Sequence, residues 1–205
     1  MNSADYEKIK ELIGDIYEEN SDLLSSIPID VFQLARKMGF RIIRASQVIS
    51  MSHEKVIEFL EINKEKEVFG FSFFDRNKCE FVIYVDDVNA KINKQRFSVA
   101  HEIGHITLGH IDKGIKNEKE AEDEADYFAG YLLCPECIGL NNEIYNAIYE
   151  DESILCNLFE IAIDTAYIKH RYICNRVKLK NKSDYEYEKI IMGCLENSIL
   201  EKIKK

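Results

Sequence analysis

His101 and His105 stand four residues apart with Glu102 between them, in the run His101-Glu102-Ile103-Gly104-His105. If the surrounding window, Arg96 to His110, is helical, both imidazoles project from one face and can converge on a single Zn²⁺. Glu102 then points to the neighbouring edge, within reach of a water held by that ion. The bland alternative is a buried helix whose histidines are satisfied by hydrogen bonds alone. On a helical wheel Phe97, Gly104 and Leu108 share the histidine side, and Val99, Ile103 and Ile106 take the opposite one. The helix is therefore apolar on both flanks and belongs in the centre of the molecule, where ionisable groups need partners. Gly104 removes bulk beside the pair, so another element can approach closely.

A zinc ion that keeps one position open for water needs a third protein ligand. The acidic run after the helix offers Glu118, Glu120, Glu122, Asp123, Glu124 and Asp126. Helical phase separates them: Ala125, Phe128, Ala129 and Leu132 form the apolar face of a helix reaching Leu133, and Glu122 borders that face. Glu124 projects from the opposite side, Glu120 and Asp123 also point away, and Glu118 shares the phase only if the helix begins that early. Glu122 is thus the first choice and Glu118 the reserve, against the plain reading of a solvated acid at a helix start. Asp126, one turn along, can accept the second ring N–H of His101 or His105 and fix its tautomer; a surface acid is the competing reading.

These residues need elements to hold them. Asp5–Glu19 carries Tyr6, Ile9, Leu12, Ile13, Ile16 and Tyr17 at helical spacing, and a second helix is expected from Pro28 through Met38, closed by Gly39. Phe40 to Ile43 turns toward a strand pattern, and residues 46–66 favour neither helix nor strand. Residues 68–74 and 80–85 are β-rich runs joined by Asp75-Arg76-Asn77-Lys78-Cys79, which predicts a hairpin. Helical periodicity follows over about 96–110, 118–133, 141–149, 151–160, 163–177 and 184–203. The expected fold is α+β, a small antiparallel sheet packed on a mainly helical body with the His-bearing helix at its centre. With no repeat and no Gly/Ser/Pro-rich linker, residues 1–205 are expected to form one domain.

Composition narrows the roles. The 205 residues are 46% hydrophobic and 31% charged, enough for a real core, with 27 Lys and Arg against 37 Asp and Glu and a net charge of −10. That charge opposes the phosphate neutralisation on which nucleic-acid affinity depends. No apolar stretch approaches the roughly 20 residues that span a bilayer, and Met1 to Glu7 lacks the basic-then-apolar opening of a secretory signal, so a cytoplasmic protein is expected. The six cysteines suit reduced thiols. Cys134-Pro135-Glu136-Cys137 is a C-x-x-C, but no second pair stands at zinc-knuckle spacing and no βαβ redox context surrounds it, so incidental cysteines are the better reading. His53, His110 and His170 have no partner pattern; surface or capping roles are expected, with His110 at the rim of the site at most.

The run Arg96-Phe97-Ser98-Val99-Ala100-His101-Glu102-Ile103-Gly104-His105 resembles the R-F-[ST]-x-A-H-E-x-G-H segment of the ImmA/IrrE metallo-endopeptidases. Glu122 through Pro135 is similar to that family's E-x-x-A-[ND]-x-F-A-x-x-L-L-M-P, with Cys134 where the family usually has Met. The resemblance implies a zincin-like body, one Zn²⁺ per chain and the third ligand role for Glu122, the residue that helical phase also selects. It covers about 80–175, with 81–87 resembling the strand before the catalytic helix and 158–171 a later helix-turn segment. By resemblance the 80–85 strand offers an edge on which an extended substrate adds.

The implied chemistry is peptide hydrolysis: His101, His105 and Glu122 hold Zn²⁺, Glu102 takes a proton from water as general base and returns it to the leaving amine. A second oxyanion donor is open among Tyr127, Tyr131, Tyr145, His170 and Arg171. The resemblance further implies one specific cut in a cytoplasmic regulatory protein, often a helix-turn-helix DNA-binding repressor of a mobile element or stress operon; an acidic surface suits a basic partner. The competing expectation is a non-catalytic, antitoxin-like binding protein on the same scaffold, whose mark would be a missing base or ligand. A closed structural zinc site would need four ligands, and no such set is evident.

Overall fold

Valines, isoleucine and aromatics in Glu80–Val85 build strand β3, the centre of a sheet that has three strands among the described residues, with β1 (Arg41–Arg44) on one side and β2 (Gly70–Asp75) on the other. The computed structural model describes residues 3–49, 69–111, 118–178 and 185–204. Strands β2 and β3 are the expected antiparallel hairpin, with Ser72 opposite Ile83. In its turn the Asp75 carboxylate accepts from the Asn77 amide. Strand β1 runs parallel to β3, with Ile42 opposite Ile83, so the sheet is mixed where a purely antiparallel one was expected. A hairpin announces itself through its short turn, whereas a parallel neighbour arrives through a long crossover that leaves no local signal. The fold is α+β. Val68 and the ambiguous region beyond residue 49 lie outside the described residues.

The sheet belongs to a compact unit, Val31–Ala129. Its first helix, α3 (Val31–Lys37), starts after Pro28-Ile29-Asp30 rather than at it. It closes as expected at Gly39, whose φ of +85° a side chain would strain, with the Phe40 amide donating to the Ala35 carbonyl. After β1 comes α4 (Ala45–Ile49); Ala45 and Tyr84 are buried there with Ile43, Val48 and Phe71 packed on them. From β3 the chain turns on buried Asp86, whose carboxylate accepts from the amides of Val88 and Asn89 and from the Asn89 side chain. That turn delivers α5 (Ile92–Thr107), which begins about a turn earlier than periodicity alone suggests; Lys91 at its cap makes no side-chain capping bond, so no capping residue marks the start in the sequence. Val99, Ala100 and Ile103 are fully buried, so α5 lies in the core of this unit. Helix α6 (Glu118–Leu133) follows, and Ala125, Phe128, Ala129 and Leu132 on its expected apolar face are fully buried.

The second unit, Met1–Asp30 with Gly130–Lys205, is helical. It holds α1 (Ser3–Glu19), α2 (Ser21–Leu24), the last turn of α6, a 3₁₀ turn (Glu136–Leu140), α7 (Asn142–Glu150), α8 (Ile154–Phe159), α9 (Ile163–Lys178) and α10 (Glu186–Ile203). Ile9, Ile13, Ile16 and Tyr17 bury one stripe of α1, and Ile191, Leu195 and Ile199 one stripe of α10. The buried Tyr17 hydroxyl donates to the Leu132 carbonyl at 3.0 Å, and Lys169 pairs with Glu136 at 2.8 Å. All six cysteines are free thiols, and Cys134 and Cys137 are fully buried in this unit. Among the described residues no helix is long and apolar enough to cross a membrane.

Candidate metal centre

Helices α5 and α6 meet where α5 lacks a side chain. A Cβ on Gly104 would lie 3.0–3.2 Å from three atoms of Phe128, so glycine is what lets α6 come this close. The approach sets the α6 carboxylates against the histidine face of α5. His101 Nε2 and His105 Nε2 are 2.9 Å apart, and each lies 3.3 Å from a different oxygen of Glu122. Ligand atoms of His101, His105 and Glu122 all fall within 4.8 Å of one another. Ligands arranged tetrahedrally at about 2.0–2.1 Å from a zinc ion stand about 3.3 Å apart. The donor set therefore fits a small divalent cation in both spacing and type, two imidazoles and a carboxylate.

The outer contacts select the tautomer. His101 Nδ1 is 2.8 Å from Asp126 Oδ1, and a carboxylate only accepts, so Nδ1 carries a proton and Nε2 is the atom turned inward. Burial disfavours a charged His101, but the Asp126 hydrogen bond and the nearby Glu102 and Glu122 carboxylates outweigh it and raise its pKa. His105 goes the other way, to about 4, through burial and then the like charge of His101 and His110. One ring thus accommodates a positive charge while its neighbour resists one.

Glu102, only 7% exposed, sits on the sheet side of α5, where Ser72 Oγ of β2 donates to its Oε2 at 2.5 Å. Burial raises its pKa against the opposing pull of Ser72 and His101. A buried carboxylate held by a hydroxyl, beside a candidate cation site, is of the kind that can exchange a proton.

His101, Glu102, His105, Glu122 and Asp126, singled out in the sequence, are thus brought together in one unit. Glu118, Glu120 and Asp123 are exposed on α6. Glu124, assigned by phase to the far side, instead places its carboxylate 2.9 Å from His110 Nε2. His110, expected at the rim or surface, lies with Nδ1 3.0 Å from His105 Nδ1. Ser72 carried no sequence signal, since one hydroxyl in a strand is common; the alternation of Phe71, Ser72 and Phe73 was the available clue that it faces a different side. Strand β3 is paired on both sides, so among the described residues β2 rather than 80–85 is the outer strand nearest Glu102. Of the oxyanion candidates, Tyr131, Tyr145, His170 and Arg171 belong to the helical unit, where Tyr131 is buried. His53 lies outside the described residues.

Comparison with known families matches residues 52–172 to the IrrE N-terminal-like domain, a peptidase family. The match takes in the hairpin, α5, α6 and most of α9, and reaches further toward the N-terminus than the motifs that first suggested it. Among curated proteins none matches the chain. With more than half of its length covered, the chain belongs to the IrrE N-terminal-like family, whose function is of the metallopeptidase type.

Proposed function

We propose that this protein is a zinc-dependent endopeptidase that makes a specific cut in a cytoplasmic regulatory protein, a helix-turn-helix repressor of a mobile element or stress operon. The observation that carries the reading is the convergence of His101, His105 and Glu122, with Glu102 buried alongside. His101, His105 and Glu122 would hold the ion, one per chain. When bound, zinc supplies Lewis acidity that polarises a carbonyl and brings the pKa of water toward neutrality.

The chain's own residues do the rest. Ser72 engages Glu102 Oε2, which leaves Oε1 to take the proton from the attacking water and return it to the leaving amine. Asp126 orients His101. Among the described residues β2 is an outer strand, and its Ser72 reaches Glu102, so an extended substrate segment pairing along it would present its backbone to the base. The net charge of −10 suits a basic, DNA-binding substrate.

Metal analysis of purified wild type and Glu122→Ala tests the centre: about one equivalent of zinc in wild type and a large loss in the variant are expected. Wild type without bound zinc would overturn the reading. Co-expression with a candidate helix-turn-helix repressor then tests the chemistry. Repressor should disappear with wild type and persist with Glu102→Gln; disappearance with Glu102→Gln would remove Glu102 from the role of base.

A further inference from the structure

We propose that His110 and Glu124 are positioning residues of the metal centre, fixing His105 from outside as Asp126 fixes His101. The proposal rests on the reading of His101, His105 and Glu122 as metal ligands and adds a second, chain-like support to it.

The backbone places His110. Helix α5 ends with Gly109 at φ +76°, the Gly109 amide donating to the Ile106 carbonyl at 3.1 Å and the His110 amide to the His105 carbonyl at 2.9 Å. These two bonds define a Schellman ending, in which the residue after the left-handed glycine folds back over the residue five before it. That pair is ordinarily an apolar contact. Here it is imidazole against imidazole, ring centroids 5.1 Å apart and edge to face, with the two Nδ1 atoms 3.0 Å apart. Beyond it, His110 Nε2 meets Glu124 Oε2 at 2.9 Å. The side chains of His110 and Glu124 are 11% and 24% exposed, against 62% for Asp126, so this arm is the better shielded from water.

The protons on this chain have one self-consistent arrangement. If His105 turns its Nε2 lone pair to a cation, its proton is on Nδ1, and it donates to His110 Nδ1. The proton of neutral His110 is then on Nε2, from which it donates to Glu124, an acceptor. Each link is satisfied in the same direction, from the ligand outward to a carboxylate. Such outer partners hold the ring's orientation and increase the ligand's basicity.

The test measures zinc affinity by competition with a chromophoric chelator, independent of any peptidase activity. His110→Leu keeps an apolar contact at the helix ending but removes the acceptor, and its affinity should fall about 10–100-fold. His110→Asn places an amide oxygen where Nδ1 stood and should recover most of the loss; Glu124→Ala should fall between. The thermal midpoint of the metal-free His110→Leu protein should stay near that of wild type. Tight zinc binding by wild type with equal affinity in His110→Leu overturns this proposal alone. So does His110→Asn as weak as His110→Leu, which would make the effect one of packing. Wild type that binds no zinc overturns the metal reading and this proposal with it.

Discussion

The Ser72 hydroxyl donates to Oε2 of Glu102 at 2.5 Å, joining strand β2 to the buried carboxylate of the helix packed beside it. This bond favours the charged form of a group whose burial raises its pKa. In Ser72→Ala that opposing influence disappears, so the Glu102 pKa rises further. A carboxyl-detected NMR titration of the metal-free protein should show the Glu102 transition at higher pH in the variant, and the acid limb of the hydrolysis rate should move the same way. An unchanged titration would mean that the hydroxyl does not act on Glu102.

Asp126→Ala should weaken zinc binding about 10–100-fold, because His101 loses the acceptor that fixes its Nδ1–H tautomer. Asp126→Asn, which can still present an oxygen, should lose less. Chelator competition distinguishes the two; equal affinity in all three proteins would reduce Asp126 to a surface acid.

Gly104→Ala introduces a Cβ 3.0–3.2 Å from Phe128 atoms, and α6 must move away or the ring must shift. Overpacking of this kind typically costs about 1–3 kcal/mol. Denaturant unfolding should report that loss, and zinc affinity should fall too, since the displaced helix carries Glu122.

Metal-free protein should lose stability on acidification through His105. Its folded pKa of about 4 lies below the ordinary 6.5, so between these values the unfolded chain binds a proton that the folded chain does not. The loss therefore develops as pH falls from 6.5 toward 4. His101 acts oppositely: its raised pKa contributes stability that is present below 6.5 and lost as pH rises through the folded value. Thermal midpoints of wild type and His105→Asn, compared from about pH 7.5 down to about pH 4.5, isolate the first effect: the wild type should drop more.

The thiols should separate by reactivity. Cys79 is exposed in the hairpin turn, whereas Cys134 and Cys137 are fully buried and burial pushes the Cys134 thiol up to about 12. A thiol-disulfide reagent should modify Cys79 promptly and reach Cys134 and Cys137 only on unfolding. Rapid modification of either buried residue in the folded chain would reopen a redox role for the C-x-x-C.

The legible parts of this chain were those whose information is local. Periodicity marked α1, α5, α6 and the later helices, the polar turn marked the hairpin, and the four-residue spacing of His101 and His105 together with the phase of α6 brought out Glu122 and Asp126. What escaped depends on tertiary approach. The parallel pairing of β1, the contact of Ser72 with Glu102 and the pairing of His110 with Glu124 all join residues that no single helical wheel or strand alternation places together. Glu124 shows the limit most plainly: its phase points away from the histidine face, yet the fold-back at Gly109 carries His110 round to meet it.

Strand β2 carries its residues on alternate sides, with Phe71 stacked on Tyr84 on one side and Ser72 reaching Glu102 on the other. A slip of one residue in its pairing with β3 would therefore bring a phenylalanine against the buried carboxylate and take the hydroxyl away. The hairpin's turn length is thus a determinant of the candidate site: an insertion or deletion between Arg76 and Cys79 that shifts this register would part Ser72 from Glu102 with His101, His105 and Glu122 left in place.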